Sequence, residues 1–325
     1  DNSLDDRKAS NADFAKELHD FDPDVVGVSG WTHTFFEMRD IIKVARKQCP
    51  EAVVLAGGVY ATAYSVKALE NLSPDFVIMG EAEKSFPQFL HELFNTENPD
   101  WSSVAGLVYK DVTGTLIKNK VDYIEDLDEL KWPDLDAIDF ETYLDNDYRY
   151  KSPLVRSAPI WVTRGCPYKC TFCAAPAVNG SDVRTHSVAY MKKFVEHLVE
   201  TRNIKWFNII DDNFTLHVDY AKDFCKEFID LNLPINFSTP NGVRMQRGDT
   251  ELWKLMKKAG WDFLVIAPES GSQNTLRIMK KGLKVDQVPH IVKEIKSAKL
   301  KVHGFFIIGY PGENKEDLYV TKEFI

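Results

Sequence analysis

Three of the chain's five cysteines, Cys166, Cys170 and Cys173, fall within eight positions. A loop of the form Cys-x3-Cys-x2-Cys can wrap three thiolates around one inorganic centre. Cubane iron–sulfur clusters ordinarily take four cysteines, so three ligands leave one iron open to a cofactor or substrate. A structural zinc site needs a closed fourth ligand. The nearest histidine, His186, lies thirteen positions past Cys173, an unusual spacing. Inert packing is the third reading. An odd count with this clustering is no disulfide framework and points to metal or redox chemistry in a reducing compartment. Cys49 and Cys225 stand alone and need no function beyond packing.

The elements that must position these cysteines alternate strand and helix. Strands are expected at 160–163, 206–210, 235–238, 263–267 and 302–308. Between them run helical stripes: Val188, Met191, Val195, Leu198; Ala221, Phe224, Phe228; Leu252, Leu255, Met256, Ala259; and Val288, Ile291, Val292, Ile295. Ser187 and Asp286 suit N-caps, and Gly260 suits a helix stop. Five βα units in a row imply a partial or complete β/α barrel, whose chemistry gathers on the loops after the strands. The first of these loops is Arg164-Gly165-Cys166-Pro167-Tyr168-Lys169-Cys170-Thr171-Phe172-Cys173. The others hold Asp211-Asp212-Asn213, then Asn241 and Arg244, then Glu269-Ser270-Gly271-Ser272, then Gly309-Tyr310-Pro311-Gly312-Glu313. Taken singly, each has an ordinary reading as an Asx turn, a helix lead-in or a type II turn.

Taken together they resemble the radical S-adenosylmethionine superfamily, including Phe172 just before the third cysteine. The resemblance implies that Cys166, Cys170 and Cys173 hold a 4Fe-4S cluster. Asp211, Asp212 and Asn213 would then meet the amino group of S-adenosylmethionine, and Glu269, Ser270 and Ser272 its ribose and carboxylate. Gly309 and Tyr310 would lie along the adenine. Asn241, Arg244 and Tyr310 could face the substrate or the cofactor carboxylate, and the guanidinium of Arg244 suits the carboxylate.

Upstream, residues 24–79 also alternate. Strands are expected at 24–29, 52–56 and 76–79, and helices at 66–72 and 84–94. Met38, Ile41, Ile42 and Ala45 form another stripe, closed by Pro50, and a hairpin is expected over 106–118. Two loops follow strands: Ser29-Gly30-Trp31-Thr32-His33-Thr34 and Gly57-Gly58-Val59-Tyr60-Ala61. The paired glycines would let a planar ligand approach the backbone, although tight turns and helix caps use the same residues. Placed before such a barrel, this pattern is similar to the cobalamin-binding domain of cobalamin-dependent radical enzymes. That likeness implies cobalamin contacts from Ser29, Gly30, Trp31, Thr32, His33, Gly57, Gly58, Val59 and Tyr60. The family's Asp-x-His-x-x-Gly element would fall before Asp1.

The expected architecture is therefore α/β throughout. Residues 1–124 form a doubly wound, Rossmann-like cobalamin-binding domain lacking its N-terminal part. Residues 125–158 form an acidic interdomain linker, and residues 159–325 a partial (β/α)6 radical barrel lacking its last strand. A length of 325 residues suits two domains. With 44% hydrophobic and 27% charged residues the chain is neither disordered nor collagen-like. A net charge of −9 without a basic run argues against binding to nucleic-acid backbones. No apolar run approaches a bilayer span and Asp1 to Arg7 are polar, so a cytoplasmic location is expected.

The activity implied by the resemblance is reductive cleavage of S-adenosylmethionine to a 5′-deoxyadenosyl radical, used for cobalamin-dependent methylation of an unactivated carbon. Radical rearrangement, cyclisation or oxidation without methyl transfer is the alternative. A non-catalytic iron–sulfur or zinc module is a third reading. A small-molecule or natural-product substrate and a one-electron donor such as flavodoxin or ferredoxin are the expected partners.

Overall fold

The computed structural model describes residues 11–145 and 155–325, which form two compact units. The polar start of the chain and positions 146–154 of the expected linker lie outside the described residues.

The first unit runs from α1 (Asn11–Phe21) through β1 (Val25–Ser29), α2 (Phe35–Gln48), β2 (Val53–Gly57), α3 (Gly58–Ala63) and α4 (Ser65–Leu72). It continues with β3 (Phe76–Ile78), α5 (Ser85–Asn95), β4 (Leu107–Lys110) and β5 (Leu116–Lys118). The sheet order is β1-β2-β3-β4-β5, with the first three strands parallel and the β4–β5 hairpin antiparallel. Because side chains alternate along a strand, the sheet builds a core on each face. Val26, Val28, Val54, Ala56, Val77 and Val108 pack with Met38, Ile42, Ala45 and Leu69 of the helices on one side. Leu55, Ile78, Leu107 and Tyr109 pack with Phe89 of α5 on the other. Helices thus cover both faces, as in a doubly wound layer.

The second unit holds α6 (Phe140–Asp145), β6 (Ser157–Ile160) and β7 (Thr163–Arg164). The next helix, α7 (Ala175–Asn179), clusters with the first unit, where Tyr123 Oη donates to the Ala177 carbonyl at 3.4 Å. The second unit then resumes with β8 (Arg184–Thr185), α8 (Val188–Arg202), β9 (Trp206–Ile209), α9 (Val218–Leu231), β10 (Asn236–Ser238) and α10 (Thr250–Lys258). It ends in β11 (Phe263–Glu269), α11 (Gln273–Ile278), α12 (Val288–Ser297), β12 (Lys301–Phe306) and α13 (Lys315–Phe324). Strands β6, β9 and β10 pair in parallel, as do β11 and β12, and bridges Phe237 to Trp261 and Val243 to Ile266 join the two sets. The core between strands and helices includes fully buried Trp253, Trp261, Phe207, Phe224 and Phe237.

Ser187 caps α8 by accepting from Tyr190 N–H, and Gly260 follows the end of α10 at φ +110°. Asp286 is not a cap. It lies in the short turn Val285–Gln287, and α12 starts at Val288 with Pro289 in its first turn, where no N–H is needed. Much of the acidic linker packs onto the second unit: Leu127 and Leu144 are buried, and Arg202 pairs with Asp136 and Glu141.

The first barrel strand ends earlier than expected, at Ile160 rather than 163. Pro159 is tolerated because β6 is the edge of its three-stranded set. The N–H groups of Val162 and Thr163 are taken by the Asp211 carboxylate at 2.8 and 2.9 Å instead of a neighbouring strand. The chain is thereby turned into β7, from which the cysteine loop departs. Burial pushes the Asp211 carboxyl from its ordinary value of 3.8 up to about 7, against the opposing pull of those two N–H donors. Between those values the folded chain holds a proton that the unfolded chain has released. The stabilisation linked to this proton is full below the ordinary carboxylate range and is lost as pH rises through about 7. Asp211→Asn should therefore flatten the fall in denaturation midpoint over that pH window; an unchanged slope in the variant would contradict the assignment.

Candidate functional site

Gly165 takes φ +94° and turns the chain out of β7, with its N–H 3.3 Å from Asp212 Oδ2. The loop that follows is anchored at its centre. Thr171 N–H donates to the Met279 carbonyl at 3.0 Å, and the Thr171 hydroxyl lies 2.5 Å from Tyr310 Oη. Cys173 N–H closes back on the Cys170 carbonyl at 3.1 Å.

Cys166, Cys170 and Cys173 share one cavity of about 160 Å³. Its wall is completed by loops at the carboxyl ends of the parallel strands: Asp212 and Asn213 after β9, Asn241 and Arg244 after β10, and Glu269 ending β11. Burial pushes the Cys166 thiol up, and Asp212 and the other two cysteines push the same way. Phe172 also lines the cavity, with Tyr310 edge-on to its ring at 6.5 Å.

Lys281, which carries no motif, is on this wall as well. Its Nζ donates to Glu269 Oε1 at 2.8 Å in a buried ion pair and sits 5.7 Å from the Phe172 ring centroid. Glu269 itself adopts φ +67° where the β11–β12 register shifts. A non-glycine residue in this region costs about 1–3 kcal/mol and is held by its surroundings. The only advance signal for Lys281 was its place just before Gly282, after the helix that follows the Glu269 loop.

Other expected residues are placed elsewhere. Asp211 is committed to backbone N–H groups and does not line the cavity. Ser270 and Ser272 are buried: their hydroxyls meet Thr321 Oγ1 at 2.9 Å and Asp317 Oδ1 at 2.5 Å, and Ser272 caps α11. Gly309 takes φ +78° and donates its N–H to Glu313 Oε2 at 2.7 Å.

In the first unit, the loops after β1 and β2 lie against each other. A Cβ on Gly58, at φ +82°, would meet Ser29 Oγ at 2.5 Å and Gly30 N at 2.9 Å. The need for glycine there comes from the chain itself. A Cβ on Gly57 would meet only the Ile78 carbonyl, at 3.9 Å. Gly58 opens helix α3, so Val59 and Tyr60 are helical, and Tyr60 is buried with its N–H on the Gly30 carbonyl at 3.0 Å. Ser29, Thr32 and His33 are exposed, and Trp31, 45% exposed, stacks on His33 at 5.9 Å.

The cysteine cavity fits a cluster: three thiols share a single wall, a soft donor set that leaves one iron of a cubane open. His186 is engaged elsewhere, with Nδ1 3.0 Å from Asp128 Oδ1 and its basicity lowered by burial. Cationic Arg244 and Lys281 beside the thiols suit thiolate ligands. Asn213 Oδ1 is buried without a partner among the described residues, an acceptor in the wall of the cavity.

Residues 160–325 match the family model for the Radical SAM superfamily, and residues 3–90 the one for the B12 binding domain. The chain is 30% identical over 347 residues to the cytidylyl-2-hydroxyethylphosphonate methyltransferase of Streptomyces wedmorensis, covering 97% of this chain and 64% of that one. The fold is similar to that of OxsB, a cobalamin-dependent S-adenosylmethionine radical enzyme solved with aqua-cobalamin and S-adenosylmethionine bound (TM-score 0.80, 19% identity, 97% of this chain and 45% of that one). It is also similar to that of TsrM from Kitasatospora setae, a radical S-adenosylmethionine methyltransferase (TM-score 0.75, 17% identity, 96% of this chain and 62% of that one). The chain spans 50% to 66% of the length of the curated relatives first matched.

The buried Glu269–Lys281 pair makes its own prediction. Lys281→Met leaves a buried carboxylate unpaired and should cost about 3–5 kcal/mol in denaturant unfolding. Adding Glu269→Gln should recover most of that loss. A double variant no more stable than the single one would show that the pair is not the cause.

Proposed function

The chain belongs to the radical S-adenosylmethionine superfamily, and from that membership we propose that it performs cobalamin-dependent methylation of an unactivated carbon. The single observation that carries the reading is the sharing of one cavity by three cysteines and the carboxyl-end loops of successive parallel strands. A 4Fe-4S cluster held there would supply the one electron that splits a carbon–sulfur bond of S-adenosylmethionine into methionine and a 5′-deoxyadenosyl radical.

In this reading Cys166, Cys170 and Cys173 hold the cluster. Asp212, Asn213 and Asn241 face the polar end of S-adenosylmethionine, with the Asn213 oxygen as an acceptor for its amino group. Glu269, fixed by Lys281, presents a carboxylate to the same cavity. Phe172 and Tyr310 offer aromatic surface to the adenine. The chain's part is to place these groups and keep water from a reactive intermediate. The B12-domain match over residues 3–90 supports cobalamin on the first unit, with Ser29, Gly30, Trp31, Thr32, His33, Gly57 and Gly58 as its nearest candidates. Several of the relatives are named methyltransferases, which supports methyl transfer over rearrangement. A small-molecule substrate, a flavodoxin or ferredoxin as electron donor and a cytoplasmic, reducing setting complete the proposal.

Anaerobic reconstitution with iron and sulfide, followed by dithionite and S-adenosylmethionine, should yield 5′-deoxyadenosine, and Cys170→Ala should abolish it. Equal product from the variant would refute the cysteine assignment. Hydroxocobalamin added during reconstitution should leave corrin absorbance after desalting, and its complete loss would remove the cobalamin half.

A further inference from the structure

Arg244 follows β10 and enters the short turn Met245–Arg247. Its guanidinium carbon lies 3.4 Å from the centroid of the Tyr168 ring, inside the cysteine loop between Cys166 and Cys170. That ring is held in turn, because Arg247 Nε donates to Tyr168 Oη at 2.8 Å. Arg244 Nη2 donates to the Lys281 carbonyl. The next residue, Gly282, has φ +63°, and a Cβ there would come within 3.2 Å of the same nitrogen. The remaining fork nitrogen, Nη1, is 4.0 Å from Cys170 Sγ.

A guanidinium clamps a carboxylate through two parallel N–H bonds, from both Nη atoms or from Nε and one Nη, and Arg244 Nε is buried. Here one arm is committed to a backbone carbonyl and the other faces a thiol. The plane is pinned against an aromatic face, which further fixes the cation. The sequence assigns this arginine to the cofactor carboxylate, but the geometry aims it at a cysteine.

We propose that Arg244 is a positioning residue for the cysteine-held centre, presenting a fixed cation and an N–H donor to the sulfur of Cys170. The inference rests on the proposed role of Cys170 as a cluster ligand. Hydrogen bonds to ligating sulfurs and nearby positive charge stabilise the more negative, reduced form of a cluster and so raise its reduction potential. Arg244 thereby sets how easily the centre accepts an electron, independently of whether S-adenosylmethionine is present.

The test is a redox titration of the reconstituted protein, followed by electron paramagnetic resonance without S-adenosylmethionine, with iron content measured in parallel. Arg244→Met should load as much iron as the parent and show a more negative midpoint. Arg244→Lys should fall between them, since a compact ammonium cannot serve both the carbonyl and the sulfur. An Arg244→Met midpoint equal to the parent's at equal iron overturns the proposal. If Arg244→Met does not load, Arg244→Lys decides: a midpoint matching the parent's overturns it, and a lower one supports it. A carboxylate-clamp role would instead weaken S-adenosylmethionine binding while leaving the midpoint unmoved. Absence of iron from the parent itself would defeat the cluster reading, which is a separate outcome.

Discussion

The loop 165–173 with its three thiols has no helix or strand of its own, and what gives it one shape is the anchoring of Thr171. Its N–H and hydroxyl reach the end of α11 and Tyr310, so the stretch between Cys170 and Cys173 is pinned at its middle. That anchor is supported in turn. Helix α11 is capped by Ser272, whose hydroxyl is held by Asp317 of α13, and Ser270 meets Thr321 of the same helix. The serines expected to touch a ligand hold the helix that holds the cysteine loop. Ordering such a loop costs about 1–2 kcal/mol per residue, so bonds already made in the protein lower the cost of assembling a centre there.

The cavity wall then gathers charge in a small volume. Glu269, in a left-handed conformation, is neutralised by Lys281, and the carbonyl of Lys281 receives Arg244. One residue thus connects the bulge at the end of β11 with the guanidinium beside Cys170. Each of these groups alone would be an expensive burial, and they are tolerated because each is the partner of another.

The cysteine spacing and the alternation of strands and helices were legible because both are local patterns. The stripes through Met191, Val195 and Leu198 and through Phe224 and Phe228 are buried as read. Residues whose meaning is set by a distant partner were not legible. Lys281 sits in an ordinary Lys-Lys-Gly run, and only the fold brings it to Glu269. Asp211 looked like its neighbour Asp212, yet it takes the N–H groups of Val162 and Thr163 and shortens the first strand. In the first unit the Gly58 requirement was readable, but its cause, the approach of Ser29 and Gly30, belongs to tertiary packing. Helix α3 was missed because its glycine start reads as a turn.

The central claim is that three cysteines leave one iron of a cluster open to S-adenosylmethionine. The most direct measurement is the electron paramagnetic resonance spectrum of the dithionite-reduced, iron-reconstituted chain before and after S-adenosylmethionine is added. The signal of a reduced 4Fe-4S cluster should change its g-values on addition, as the open iron gains new ligands. A spectrum that stays the same with saturating S-adenosylmethionine would contradict it.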